Sequence, residues 1–234
     1  MTKPSILLMT FIAVIASLQC HAQKFFFGPS VKAGISQIIF VKTDTIPDHS
    51  ISNRLNFSLQ AGAYAEYKFA NRFGAGLELL YWWQNGKLKD DFSYADALGN
   101  SITQNDVYKA HVSYLSVPVY FQYYMKDVSL LLGAQSGFEF SETGNLASTT
   151  TTNGAATNTT ESDIDLNFEN FDIGIKAGVL YKVADNIVAG LEYYNGRVNL
   201  SKNNDLPFSS RNQYFYGSLR YNIIRGKRDV IYYN

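Results

Sequence analysis

Apolar and polar residues alternate along several segments of the chain. The clearest case runs from Tyr114 to Phe140, where one parity is almost entirely apolar and the other carries small, polar and charged side chains. Strict alternation predicts β-strands that have one apolar face. Only the dipeptide Lys126-Asp127 interrupts the pattern, and each half reaches the length of about 9 to 11 residues that a tilted strand needs to cross a bilayer. The pattern therefore predicts a transmembrane β-hairpin.

Eight segments share this pattern and are separated by alternating short and long connections. The segments span residues 25–41, 55–69, 73–84, 114–125, 128–140, 170–183, 187–198 and 213–224. The short connections lie at residues 71–72, 126–127 and 184–186, and the long ones at 42–54, 87–110, 141–169 and 199–212. Outer-membrane barrels have short periplasmic turns and long external loops. The sequence predicts an all-β fold, an eight-stranded antiparallel transmembrane β-barrel with an up-and-down meander, and places both mature ends in the periplasm.

The longest connection, Ser141 to Glu169, contains the low-complexity run STTTTNGAATNTTES. Few apolar residues are present to anchor it, so we expect a solvated loop. A receptor or adhesion surface is the functional alternative for this loop.

The first 22 residues have the features of a secretory signal peptide. A lysine near the start precedes an apolar stretch, and small Ala22 offers a cleavage site before Gln23. The only cysteine, Cys20, lies in this leader, and Gln19 stands where a lipoprotein signal needs a small residue. We expect residues 1–22 to be removed and residues 23–234 to form one barrel domain in the outer membrane of a Gram-negative bacterium.

Composition agrees with a membrane barrel and excludes several other classes. The formal net charge is zero, which gives no indication of a nucleic-acid partner. The 17 Tyr, 16 Phe and 2 Trp suit the aromatic girdles of such barrels. No cofactor or metal motif occurs in the sequence. A soluble lipocalin-like barrel, with its apolar parity inside, is the structural alternative.

The polar parity carries charges of both signs, and in a membrane barrel this parity faces the lumen. The predicted lumen network consists of Lys32, Glu66, Lys68, Glu78, Glu139, Lys176, Glu192 and Arg220. An eight-stranded barrel is about wide enough inside for its own side chains. Burying unpaired charge there would be costly, so we expect these groups to pair and to fill the lumen. A narrow ion path along the same charges is the alternative.

One short motif gives a family resemblance. The run Tyr114-Leu115-Ser116-Val117-Pro118-Val119, followed by Tyr123-Tyr124, resembles the PorT-like outer-membrane β-barrel family. The resemblance implies an eight-stranded outer-membrane barrel without catalytic residues. Pro118 lies in mid-strand and has no backbone donor, so we expect a bulge or bend at this residue.

A barrel of this kind suggests particular partners. Its surroundings would be outer-membrane lipid and lipopolysaccharide, and its assembly would require the outer-membrane insertion machinery. The resemblance also leaves open an extracellular or secretion-system protein partner. A structural, adhesion or assembly role fits the sequence better than catalysis or bulk transport.

One candidate catalytic cluster remains as the enzymatic alternative. His111 and Ser113 share a face near the outer end of the fourth strand, and Glu142 follows the fifth strand roughly opposite His111. His as base and Ser as nucleophile would suit a deacylase-like enzyme that modifies lipid at the barrel rim. Three ordinary polar residues at a strand end are the simpler interpretation.

Overall fold

The computed structural model describes residues 25–42, 49–164, 169–199 and 208–225, and the predicted leader lies outside them. The strands are β1 Phe25–Lys42, β2 His49–Arg54, β3 Asn56–Lys68, β4 Phe73–Ala95, β5 Ser101–Met125, β6 Val128–Thr152, β7 Ala155–Ile164, β8 Phe171–Ala184, β9 Ile187–Gly196, β10 Phe208–Tyr221 and β11 Ile224–Arg225. Within the described ranges, no helix has the length and apolar character to cross a membrane.

Eight of these strands form a closed antiparallel ring. The order is β1, β3, β4, β5, β6, β8, β9 and β10, and β10 pairs back to β1 from Ser30↔Arg220 to Lys42↔Phe208. Closure leaves the ring without an open edge, as a strand structure in lipid requires. The predicted eight-stranded barrel is confirmed.

The two faces of the wall follow the alternation in the sequence. Large apolar side chains point outward, with Phe121 68% and Leu132 63% exposed, while alternate residues such as Glu78 and Trp82 are buried inside. The soluble lipocalin-like alternative, which requires the apolar parity inside, is therefore wrong.

The short turns gather at one rim, and the sheet extends far beyond the barrel at the other. Strands β4, β5 and β6 continue past the ring, and β2 and β7 pair with β4 and β6 respectively. We call the extension the projecting sheet and define it as β2, residues 87–95 of β4, residues 101–110 of β5, residues 143–152 of β6, and β7.

The prediction that residues 87–110 and 141–169 are long connecting loops is wrong for residues 87–95, 101–110, 141–152 and 155–164, which form strands. The turn at Asn153 and Gly154, with φ of 48° and 87°, joins β6 to β7, and two positive φ values are the mark of a type I′ hairpin. Most side chains of the projecting sheet are at least partly exposed, and its strands lack the apolar alternation from which strands are predicted.

Asp96 organises the tip of the hairpin between β4 and β5. Its Oδ1 accepts hydrogen bonds from the backbone N–H groups of Leu98 at 2.8 Å and Asn100 at 2.9 Å, and its Oδ2 accepts one from Asn100 Nδ2 at 2.8 Å. The side-chain and backbone donors of Asn100, with the other backbone N–H groups, hold the pKa of Asp96 below its usual range. A polar turn can therefore be well ordered without apolar packing.

Strand β6 contains a bulge, but not at the expected place. Ser113 pairs with Ser141 while its neighbour Tyr114 pairs with Glu139, so Phe140 is an extra residue. At Pro118 no residue is inserted, because Leu77↔Val119 and Leu80↔Ser116 belong to one register, so the bulge predicted there is wrong. The β4–β5 pairing is nevertheless interrupted between these two pairs, where Pro118 has no backbone donor.

The seam between β1 and β10 allows a direct test of how tightly the ring closes. A Cβ added to Gly34 would lie 2.0 Å from the carbonyl oxygen of Phe215, whereas one added to the nearby Gly217 would meet nothing closer than 3.8 Å. We expect Gly34→Ala to lower the free energy of unfolding by about 1–3 kcal/mol, since overpacking forces backbone shifts. Urea unfolding in lipid vesicles, followed by Trp fluorescence, measures this. Gly217→Ala is the control, and equal stability of the two variants would contradict a tight seam.

Candidate functional site

Six charged side chains form one cluster inside the barrel. Two lysines each lie between the same two carboxylates, with Lys32 Nζ 2.5 Å from Glu78 and 2.7 Å from Glu192. Lys176 Nζ is 2.7 Å from Glu78 and 2.8 Å from Glu192. We call Lys32, Glu66, Glu78, Lys176, Glu192 and Arg220 the lumen cluster.

Arg220 completes the cluster with its guanidinium group. Its Nη2 is 2.6 Å from Glu78 and 3.3 Å from Glu192, and its Nη1 is 3.8 Å from Glu66. Three cations thus face three carboxylates, and the formal charge of the lumen cluster is zero. Such neutrality is what a low-dielectric interior requires of buried charge.

The cluster blocks the lumen at its level. Glu78 is 0% exposed, Lys32 and Arg220 are each 1% exposed, and Lys176 and Glu192 are each 2% exposed. Side chains from opposite walls meet here because eight strands enclose only enough space for the side chains themselves. The arrangement can hold the strands together and exclude water, and no exposed charged group remains there to bind a ligand.

Tyrosines surround the guanidinium and ammonium groups of the cluster. The Arg220 Cζ atom lies 5.1 Å from the ring centroid of Tyr120 and 5.3 Å from that of Tyr64, and Lys176 Nζ lies 5.5 Å from the Tyr120 centroid. Arg220 Nη1 also donates to the Tyr120 hydroxyl at 3.2 Å. Cation–π attraction of this kind strengthens when the groups are desolvated.

An aromatic layer fills the lumen on the side of the projecting sheet. The rings of Trp82 and Tyr114 stack with centroids 4.4 Å apart, Tyr214 meets Trp82 edge-on at 4.4 Å, and Tyr194 stacks on Tyr214 at 4.7 Å. Trp82 Nε1 donates to Ser58 Oγ at 3.1 Å. Buried side chains therefore fill the lumen at two levels, with paired charges at one level and packed aromatic rings at the other.

The two other residues of the predicted network lie at the ends of the lumen and are only partly buried. Lys68 Nζ lies 5.1 Å from the ring centroid of Tyr124, near the short turns. Glu139 is the register partner of Tyr114, near the bulge. The ion pairs of the lumen cluster connect the other six.

Asp172 is a buried charged residue that the predicted network lacks, although its parity points inward. Its Oδ2 accepts a hydrogen bond from Asn212 Nδ2 at 2.9 Å, and Asn212 Oδ1 accepts one from Gln84 Nε2 at 3.0 Å. Asn212 belongs to the stretch 199–212 that the sequence assigns to a loop. The alternation of polar and apolar residues therefore predicts the inward position of Asp172 but not its hydrogen bond with Asn212.

The candidate catalytic residues do not come together. His111 bonds Asn85 at 2.5 Å, and Ser113 accepts a hydrogen bond from the Tyr81 hydroxyl at 2.9 Å, both on the outer face. Glu142 is the register partner of the inward-facing Val112, so its side chain points to the lumen. The extra residue in β6 reverses the parity after Phe140, which is why the expected cluster is divided by the barrel wall.

No group of three or more His, Cys, Asp or Glu side chains suited to a metal ion occurs among the described residues.

A pocket lies at the short-turn end of the lumen, lined by Lys126 and Asp127 and ending at Glu66 and Arg220. Because the lumen cluster forms its inner end, the pocket does not lead through the barrel.

The fold and its apolar outer face define a transmembrane β-barrel. The chain belongs to the family described as "Outer membrane protein beta-barrel domain", whose sequence profile matches residues 21–202. Membership implies the outer membrane of a Gram-negative bacterium. No curated protein matches the chain significantly.

Several solved structures are similar to it. Ail, the attachment invasion locus protein of Yersinia pestis, is 14% identical with a TM-score of 0.33, covering 84% of this chain and 99% of that one. Neisserial surface protein A is 13% identical with a TM-score of 0.37, covering 84% and 96%. The outer membrane protease OmpT from Escherichia coli is 10% identical with a TM-score of 0.35, covering 86% and 95%. These similarities concern the fold alone.

Removing one carboxylate from the lumen cluster should lower the free energy of unfolding far more than removing an exposed carboxylate. We expect Glu78→Ala to lower the free energy of unfolding by about 3–5 kcal/mol, because it leaves three buried cations with only two carboxylates and hence an uncompensated buried charge. Glu161→Ala, which removes an exposed carboxylate from β7, should change it by no more than about 0.5 kcal/mol. Urea unfolding in lipid vesicles measures both.

A double variant separates charge balance from simple loss of contacts. Lys32→Met with Glu78→Leu removes one charge of each sign and keeps apolar volume, so it should be more stable than Glu78→Ala alone. A double variant that is less stable than the single one would contradict this account.

Proposed function

We propose that this protein is a closed, non-catalytic outer-membrane barrel that acts by presenting its projecting sheet to an extracellular or secretion-system protein, in an adhesion or assembly role. The observation that carries the proposal is the contrast between the two parts of the fold. The lumen is filled by buried, paired side chains, whereas the projecting sheet is largely solvent-accessible. A filled barrel leaves its surface as the part able to engage a partner.

The proposal includes an orientation and a mature form. Short turns are periplasmic in outer-membrane barrels, so the rim with Lys126 and Asp127 faces the periplasm and the projecting sheet faces the exterior. Strand β1 begins and β10 ends at the short-turn rim, which supports a periplasmic position for both ends of a chain from which residues 1–22 have been removed. The insertion machinery of the outer membrane would receive the chain from this side.

The motif at Tyr114, Leu115, Val117 and Pro118 supports the finer assignment to PorT-like barrels. Tyr114 is buried against Trp82 in the lumen, and Leu115 is 43% exposed on the lipid side. The motif thus combines a lumen-filling ring with a lipid-facing side chain. This role is structural and needs no catalytic group.

The strands of the projecting sheet offer a means of engaging a partner. Strand β7 pairs with β6, and its side chains from Ala155 to Ser162 are exposed. An outer strand can accept the main chain of another protein by adding a strand to the sheet. Recognition would then depend on backbone pairing together with contacts to the Thr and Asn side chains of β7.

Epitope tags test the orientation on which this function depends. A tag inserted between Asn153 and Gly154 should bind antibody on intact cells, because it lies at the tip of the β6–β7 hairpin. A tag inserted between Lys126 and Asp127 should bind antibody only after the outer membrane is permeabilised. The reverse result would contradict presentation of the sheet to the exterior. A heat-dependent shift in gel mobility, shared by both tagged chains, serves as the folding control.

A further inference from the structure

Three cationic side chains lie side by side on neighbouring strands where the wall leaves the lipid-facing band. Arg54 on β2 is the register partner of Lys87 on β4, and Lys87 is the register partner of Lys109 on β5. Directly opposed residues of antiparallel strands share a face, with Cβ atoms about 4.5–5.5 Å apart. We call Arg54, Lys87 and Lys109 the cationic row.

The cationic row is on the outward face of the wall. Gly86 and Leu88, the chain neighbours of Lys87, are buried on the inward face, so Lys87 points outward, and its register partners Arg54 and Lys109 are exposed. The row crosses two strand spacings and is therefore about 10 Å wide. It lies along one side of the barrel and does not face its mouth.

No carboxylate pairs with these three cations in the part of the chain that the structure describes. Lys89, on the same strand and face as Lys87, does have a partner, since its Nζ lies 2.7 Å from Asp91. Like charges directly opposed across a sheet destabilise it. An array of three unpaired cations therefore favours the binding of an anion that all three can share.

The height of the row identifies where that anion would be. Along the outward face of β4, the exposed ring of Trp83 comes first, then Asn85, which bonds His111, and then Lys87. Four residues of strand span about 13 Å, or about 10 Å along the membrane normal for a strand tilted by 35–45°. Exposed aromatic rings mark the membrane interface, so the row lies at the level of lipid phosphates or just beyond.

We propose that the cationic row is a binding site for the phosphate groups of lipopolysaccharide in the outer leaflet. The guanidinium of Arg54 suits bidentate contact with phosphate oxygens, and the two ammonium groups add positive charge beside it. A soluble polyanion fits this position less well, because the row faces sideways into the leaflet. The proposal rests on the orientation proposed above, which puts this rim in the outer leaflet.

The test measures binding of lipid A to the folded full chain in detergent by native mass spectrometry. Three lipids are compared, namely phosphorylated lipid A, the same lipid A after removal of its phosphates, and phosphatidylglycerol. The unchanged protein should bind phosphorylated lipid A at least tenfold more tightly than either of the other two. The triple variant Arg54→Gln, Lys87→Gln, Lys109→Gln should lose at least tenfold in that affinity, as expected when several cations near an anionic surface each contribute a few-fold.

Matched single variants test whether the cationic row is responsible for the binding of phosphorylated lipid A. Lys87→Gln should weaken binding several-fold, while Lys89→Gln should stay within twofold of the unchanged protein, because Lys89 is already paired with Asp91. A heat-dependent gel shift for every variant serves as the folding control.

Several results would overturn the proposal. One is that the triple variant binds phosphorylated lipid A as tightly as the unchanged protein does. Another is that the unchanged protein binds lipid A without phosphates, or phosphatidylglycerol, as tightly as it binds phosphorylated lipid A. Preferential binding of heparin or DNA at the row would likewise overturn it in favour of a soluble polyanion. The epitope tags test the orientation independently, so failure of the phosphate site and failure of the proposed orientation give different results.

Discussion

Closure of the eight-stranded ring is the constraint on which the rest of the structure depends. Backbone groups in lipid need hydrogen-bond partners within the protein, and the pairing of β10 with β1 supplies those of the last open edge. A ring of eight strands is narrow, so the inward side chains from all walls meet in one space. The inward side chains must therefore fill the lumen and balance its charge at the same time. In this chain the lumen cluster balances the charge and the aromatic layer fills the remaining space.

Charge balance in the lumen also ties together strands that are distant in the sequence. Lys32 on β1 contacts Glu78 on β4 and Glu192 on β9, and Arg220 on β10 joins the same two carboxylates to Glu66 on β3. With Lys176 on β8, six of the eight ring strands contribute to one neutral group. The ring thus gains cross-links through its interior in addition to the hydrogen bonds around its wall. These cross-links stabilise the barrel wall from which the projecting sheet extends.

The sequence predicts the part of the fold in which two environments differ. Where one face meets lipid and the other the lumen, apolar and polar residues alternate, and the strands and the inward position of residues such as Glu78 can be predicted. In the projecting sheet, where most side chains are at least partly exposed, this alternation disappears. The sequence therefore predicts loops there, and the register that aligns Arg54, Lys87 and Lys109 cannot be predicted. The extra residue at Phe140 cannot be predicted either, because a bulge changes the parity of a strand without changing its composition. As a result, the side chain of Glu142 points to the lumen, whereas the sequence predicts that it lies opposite His111 on the outer face. At Pro118 the missing donor interrupts the β4–β5 pairing but inserts no residue, so the register continues past it.

Because paired charges and packed rings fill the lumen, we expect the barrel to be closed to water and ions. Current recorded across a planar lipid bilayer, with the folded protein inserted at high salt and voltage applied in both directions, measures this closure. We expect no steady open conductance from the unchanged protein. We expect measurable conductance from a variant in which Lys32, Glu78, Trp82 and Tyr214 are all replaced by Ala and which still shows the heat-dependent gel shift. A stable open current from the unchanged protein would contradict a filled lumen.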